Sequence, residues 1–281
     1  MTNVKIVTDS SIQMTPEEVE KYHVTIIPLT VEIDGQQYID GQDITRAEFS
    51  QKMLSSTDLP KTSQPPLGRF VDVFNELGQD GSPILAIMMT KGLSGTADAA
   101  SQAADLVDSK VTVVDSGFTD RGLAFQVIAA AKMAQAGASI NDILLEIQKI
   151  RDKTELYVAV PNLENLLKGG RLGNVASSLT TLLNINVVVQ LADSKLKVVK
   201  KGRGIKTINK FVDGIVEEIA ADGAQIDELG MAYVNDATIP NEIAARLHQD
   251  WPELNTVIEL TSPIIMTHTG KGAFAMIFYR K

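Results

Sequence analysis

Four short apolar runs, "VKIVTDS", "VTIIPLTVEI", "PILAIMMT" and "KVTVVDS", punctuate the first half of this chain, and stretches of helical character separate them. Strands that are apolar along their whole length need cover on both faces, which parallel sheets flanked by helices provide. The intervening segments suit that role. "PEEVEKY" carries acids in its first turn, where the helix dipole favours them. "YIDGQDITRAEFSQKMLSS" runs from a turn into a helix, and "PLGRFVDVFNELGQDG" is a helix closed by Gly78 and Gly81. "GTADAASQAADLV" is another helix, and "GLAFQVIAAAKMAQAG" ends at Gly137. The pattern predicts an α/β/α unit built on a mostly parallel sheet.

The texture changes after "INDILLEIQKIRDKT". "ELYVAVPN" reads as a strand, "LENLLKGGRLG" as a helix with a glycine-rich exit, and "VASSLTTLLN" as a short helix. "INVVVQLADSKLKVVKKG" reads as a hairpin turning through "ADSK". A long amphipathic helix follows ("GIKTINKFVDGIVEEIAA"), then the strand "ELGMAYVN", the helix "PNEIAARLHQDW" and two last strands flanking His268. The expectation is α/β overall, with residues 1–154 forming an N-terminal α/β/α domain. Residues 155–281 would form a C-terminal α+β domain with a mixed sheet. There is no internal repeat or low-complexity tract.

Bulk properties bound the function. With 281 residues, 44% of them hydrophobic, the chain can bury a large core. No apolar stretch approaches the roughly 20 residues of a membrane span, so no stable membrane anchor is expected. "MTNVKIVTDSS" lacks the sections of a signal peptide. The absence of cysteine excludes disulfides and thiolate metal sites. A net charge of -9 argues against a general nucleic-acid binder. These features predict a soluble, cytoplasmic protein.

Three first-half strands run into hydroxyl-bearing loops: "TDSS", "TKGLSGT" and "VVDSG". Ligands of open parallel sheets bind outside the carboxyl ends of the strands. Ser94, followed by Gly95 and a helix, can present a hydroxyl and free N–H groups to an anion. Any one loop alone reads more readily as a turn or helix cap, whereas several at one sheet edge favour a polar pocket. "KTSQPPLG" adds Thr62 and Ser63, either as a ligand loop or as a proline-capped helix start. Arg171 in "KGGRLG" offers the planar fork that suits carboxylate or phosphate, or is a surface arginine past a helix end. His268, one of only three histidines, stands in "MTHTGKGAF", where glycines suggest that another group approaches the backbone. "GLSGT" lacks the hydrolase G-x-S-x-G spacing, and neither a dinucleotide fingerprint nor a P-loop occurs. Hydroxyls, one arginine and one histidine suit an anion clamp better than a catalytic apparatus.

Taken in order, "IVTDSS", "IPLTVEIDGQQYIDGQDIT", "TSQP", "GLSGT", "VVDS", "VPNLENLLKGGRLG", "LLNINVVV", "KGRG" and "HTGKGA" resemble the DegV family nearly end to end. That family includes the fatty-acid-binding subunits of bacterial fatty acid kinase. The resemblance implies two domains with one long-chain fatty acid between them. Thr62, Ser94, Arg171 and His268, together with Ser63 and Gly95 of the same loops, would bind its carboxylate. No cofactor or metal is implied, and the chain would not be catalytic on its own. It would present the acid to a separate ATP-dependent kinase that makes the acyl phosphate. Arg203, within the basic stretch "KVVKKGRGIKTINK", falls at the family's partner-contacting position. "GLAFQVIAAAKMA" and "VASSLTTLLNINVVV" are candidate apolar lining and read equally as core, and Ala129, Ala130 and Ala131 would leave room for a chain or suit tight helix packing. The rival readings are a small-molecule phosphotransferase, from the related architecture of dihydroxyacetone kinases, and a lipid carrier or sensor with no kinase partner.

Overall fold

The computed structural model describes residues 4–172, 185–221 and 226–280. In chain order it opens with β1 (Lys5–Asp9), α1 (Pro16–Tyr22), β2 (Thr25–Ile27), β3 (Thr30–Ile33), β4 (Gln36–Ile39) and α2 (Arg46–Ser55). Next come β5 (Lys61–Ser63), α3 (Leu67–Gly78), β6 (Ile84–Met88), α4 (Thr96–Ala104), β7 (Val111–Asp115) and α5 (Asp120–Gln135). Then follow α6 (Ile140–Lys153), β8 (Thr154–Val160), α7 (Glu164–Lys168), β9 (Asn186–Ala192), β10 (Lys195–Gly202) and α8 (Ile205–Ala221). The chain closes with β11 (Ile226–Tyr233), α9 (Thr238–Asp250), β12 (Asn255–Leu260), α10 (Pro263–Thr269) and β13 (Phe274–Arg280).

β2-β1-β6-β7 form a wholly parallel sheet. β10-β9-β8-β13-β11-β12 form a mixed one, antiparallel except for the β11–β12 pair. The fold is therefore α/β, with a parallel N-terminal and a mixed C-terminal sheet, as the alternation of runs predicts. The "ADSK" hairpin also forms, with Asp193 and Ser194 both at positive φ in its turn. The predicted helix "VASSLTTLLN", residues 175–184, lies outside the described residues.

One expectation needs correction, and one element was not foreseen. "VTIIPLTVEI" is not one strand. Pro28 has no N–H for a ladder, and the run divides there. Ile27 pairs with Asp9 in the parallel sheet, whereas Thr30–Ile33 joins a separate antiparallel sheet, β4-β3-β5. The last two strands do flank His268, as β12 and β13, and the element not foreseen is the helix "PIIMTHT", α10, between them. Ser262 caps it by accepting from the Ile265 N–H, and Pro263 occupies its first turn, a usual starting signal. Gly270, at φ +78°, ends it in a conformation that disfavours a side chain.

Helix α5 joins the two large sheets. It packs against β1 and β6 on one side and against β8, β11 and β13 on the other. Leu123, Ala124 and Val127 enter one apolar cluster, and Phe125 enters another with Leu156, Ala232 and Ile277. Arg121 begins this helix fully buried. Its guanidinium donates to both oxygens of Glu18 at 2.7 and 2.6 Å, to the Gln13 carbonyl at 3.0 Å and to Glu228 on β11. Gly230 makes room for it, since a Cβ there would come within 2.4 Å of the Arg121 Cβ. No helix among the described residues is long and apolar enough to cross a membrane.

Candidate functional site

A cavity of about 220 Å³ opens beside the carboxyl end of β6. Much of its wall is aliphatic: Leu156 and Val158 from β8, Val189 and Leu191 from β9, Leu196 from β10, and Ile264 and Ile265 from α10. Thr62, Gln64, Ser94, Gly95, Arg171 and His268 supply polar lining. Apolar walls with a few placed polar groups describe a small-molecule site.

Each polar group is set by its element. In β5 the pleat alternates side chains, so Thr62 turns inward while Ser63 is exposed and lies outside the lining. Thr62 is held by pairing with Val31 of β3, and its Oγ1 is 2.9 Å from His268 Nε2. Burial, with help from the Arg171 charge, pushes the His268 pKa down from 6.5 to about 4. The ring is thus neutral near pH 7. Its buried Nδ1 has no hydrogen-bond partner among the described residues, and Gly169 lies against it, so that a Cβ on Gly169 would come within 2.6 Å of Nδ1.

Arg171 follows α7 and its glycine-rich exit. It donates to the Gly169 carbonyl at 2.5 Å and to the Leu93 carbonyl at 3.4 Å. No acidic side chain among the described residues pairs with it, and burial lowers its pKa. A partly desolvated guanidinium without a counter-charge favours an anion as its neighbour. Ser94 sits where the loop after β6 turns into α4, its Oγ 2.8 Å from Thr96 Oγ1. Gly95 takes the cap position of α4 and supplies no side-chain acceptor to the first N–H groups.

Thr62, Ser94, Gly95, Arg171 and His268 therefore come together, and Ser63 does not join them. Arg203 stands apart, exposed between β10 and α8, with its carbonyl accepting from Thr207 Oγ1 at 3.2 Å. "TDSS" and "VVDSG" hold neighbouring loops rather than line the cavity. Asp9 accepts from the N–H groups of Met89 and Ser11 at 2.6 and 3.0 Å, and Asp115 accepts from Gly117 N–H at 2.9 Å. The α5 alanines are not lining either. Ala130 and Ala131 are core and Ala129 packs beside a second cluster, because α5 is wedged between sheets. Of the second expected lining segment, Val189 contributes, while residues 175–184 lie outside the described residues.

Gln64, Thr119, Asp120 and Thr269 also border the cavity and were not anticipated. Gln64 stands inside "TSQP", where the sequence singles out only Thr62 and Ser63 as site residues. Asp120 falls between "VVDSG" and "GLAFQVIAAAKMAQAG", in a stretch to which the sequence pattern assigns no role. It is buried at φ +47°, and its pKa is pushed up to about 6, chiefly by burial. Among the described residues, no cluster of three His, Asp or Glu side chains is arranged to hold a metal ion.

A family model described as "Uncharacterised protein, DegV family" matches residues 3–281. A DegV domain-containing protein of Streptococcus pyogenes serotype M3 is 44% identical over 278 residues, spanning 99% of each chain. Among solved structures, DegV, a fatty acid binding protein from Bacillus subtilis, matches with a TM-score of 0.92 at 25% identity, covering 100% of both chains. A stearic-acid-binding protein from Eubacterium ventriosum matches with a TM-score of 0.87 at 27% identity, covering 99% of this chain and 98% of that one. With a family model spanning nearly its whole length and a relative this similar, the chain belongs to the DegV family.

Proposed function

We propose that this protein binds one long-chain fatty acid in the cavity and presents its carboxylate to a separate ATP-dependent kinase, which forms the acyl phosphate. The observation that carries the reading is Arg171, a half-buried cation without an acidic partner among the described residues. It borders the same aliphatic cavity as the Thr62–His268 pair. Similar proteins whose names record fatty-acid binding support it. In this reading Thr62, Ser94, Gly95, Arg171 and His268 hold the carboxylate. Residues 1–154 and 155–281 act as two domains around the acid, and the protein works in the cytoplasm. Arg203 docks the kinase. Its exposure, away from the cavity lining and among Lys201, Lys206 and Lys210, supports that role.

Denaturing extraction of the purified protein, followed by mass spectrometry, tests the first step. About one fatty acid per chain is expected. Empty protein that also refuses oleate and palmitate overturns the reading. Nucleotide binding by the isolated chain would favour a phosphotransferase instead. Retained lipid with no acyl phosphate on adding a fatty acid kinase and ATP would leave a carrier or sensor.

A further inference from the structure

The cavity contains a second polar station that carboxylate recognition does not use. Asp120 borders the main cavity and also a narrow apolar recess walled by Val158, Ala232 and Phe274, so it stands where the two adjoin. Only 3% of its surface is exposed. Oδ1 accepts from Thr261 Oγ1 at 2.5 Å, and Oδ2 takes a longer contact from Thr119 Oγ1 at 3.3 Å. No basic side chain forms an ion pair with it among the described residues. A carboxyl group has about four acceptor positions when ionised, or a donor and spare acceptors when protonated. Two hydroxyl contacts therefore leave hydrogen-bonding capacity unused in either state.

Plain hydrocarbon lying against such a group would keep it from water and offer nothing in return. A hydroxyl on the chain would fill the gap, because it donates to a carboxylate and accepts from a carboxylic acid. Placement indicates where on the chain. Ile265 and Thr269 border the recess beside Asp120, and His268 lies between them on α10. A helical turn rises only about 5.4 Å. Asp120 therefore faces a part of the ligand close to the head group rather than its far end.

We propose, building on the fatty-acid reading of the same cavity, that Asp120 with Thr261 and Thr119 forms a hydroxyl-recognition subsite, so that the protein selects fatty acids hydroxylated in the half of the chain nearer the carboxylate. Competition binding against palmitate with a positional series of monohydroxypalmitates tests this on the full-length, delipidated protein. At least one isomer hydroxylated in the proximal half should bind about tenfold more tightly than palmitate. In Asp120→Ala that preference ratio should fall to about one, and Thr261→Val should reduce it. Should Asp120→Ala fail to fold, Asp120→Leu and the wild-type series still decide. A wild-type protein that binds palmitate as tightly as every hydroxylated isomer overturns the subsite, as does a preference that survives both Asp120 and Thr261 changes. Failure to bind palmitate or any isomer instead removes the fatty-acid reading itself.

Discussion

Gly169 lies against the imidazole of His268, leaving no space for a side chain: a Cβ would stand 2.6 Å from Nδ1 and 2.7 Å from the Asn165 carbonyl oxygen. The glycine of one motif thus sets the ring position of another. Gly169→Ala should displace His268 away from Thr62. We expect a loss of about 1–3 kcal/mol in stability, typical of overpacking, and a larger proportional loss of fatty-acid retention. Urea unfolding and lipid quantification on the same preparation check both. Unchanged retention would show that the ring position does not matter.

Thr62→Val and Ser94→Ala should each weaken fatty-acid binding by about 1.5–3 kcal/mol, the usual loss for one hydrogen bond to a charged group. Thr62→Val also strips His268 Nε2 of its partner, so it should be the more harmful of the two. Calorimetric titration of delipidated protein with palmitate measures this, with circular dichroism to confirm folding.

Acid should reveal His268 through stability. Its folded pKa of about 4 lies below its ordinary 6.5, so between these values the unfolded chain takes up the proton first. The resulting loss begins as pH falls through 6.5 and is largely developed near 4, reaching about 3 kcal/mol. Asp40 and Asp120 act in the opposite sense. Burial first of all pushes both up to about 6 from 3.8, so they favour the folded state as pH falls from about 6 toward 3.8. His268→Asn should therefore lose less stability than wild type on acidification, by about 3 kcal/mol between pH 7 and 4. Denaturant titrations of lipid-free protein across that range give the difference directly. Parallel wild-type and variant profiles would mean that His268 titrates normally.

Arg121→Met should destabilise the protein by about 3–5 kcal/mol, because Glu18 and Glu228 would remain in place without their shared cation. The urea midpoint should fall without a change in slope. A neutral result would mean that the apolar side chain replaces the ion network at no cost.

Arg203→Ala should retain its fatty acid yet serve the kinase poorly, because the residue is exposed and outside the cavity lining. Lipid content and acyl-phosphate formation are measured side by side. Parallel loss of both would assign Arg203 to the fold or the pocket, and loss of neither would move docking elsewhere.

What could be read from the amino acids follows the range over which each feature is encoded. β1, β6 and β7 were legible because continuous apolar runs bounded by turns are local signals. The break at Pro28 was visible as a proline. The change of sheet depends on partners from residue 36 onward and on 61–63, which no local pattern announces. Helix α10 was missed because seven residues span too few turns to show a period, although Ser262-Pro263 was a usable start signal. Arg121 and Asp120 were illegible for a common reason. Their burial is created by β11 and by Thr261, more than 100 positions away. Ser63 was placed beside Thr62 by motif, and the strand pleat separated the two.

Thr62 and His268 meet across 206 positions of chain, while Leu93 and Arg171 meet across 78. The clamp draws on β5, the loop entering α4, the exit of α7 and α10, so local opening of any one of these dismantles it. Anything held there binds the native chain and not its opened forms, and each tenfold rise of free ligand above its dissociation constant adds about 1.4 kcal/mol to the cost of opening. Occupancy would then lengthen the survival of the protein among proteases whose cleavage depends on the opened population. On the fatty-acid reading proposed above, lipid supply would regulate how much of this protein a cell keeps.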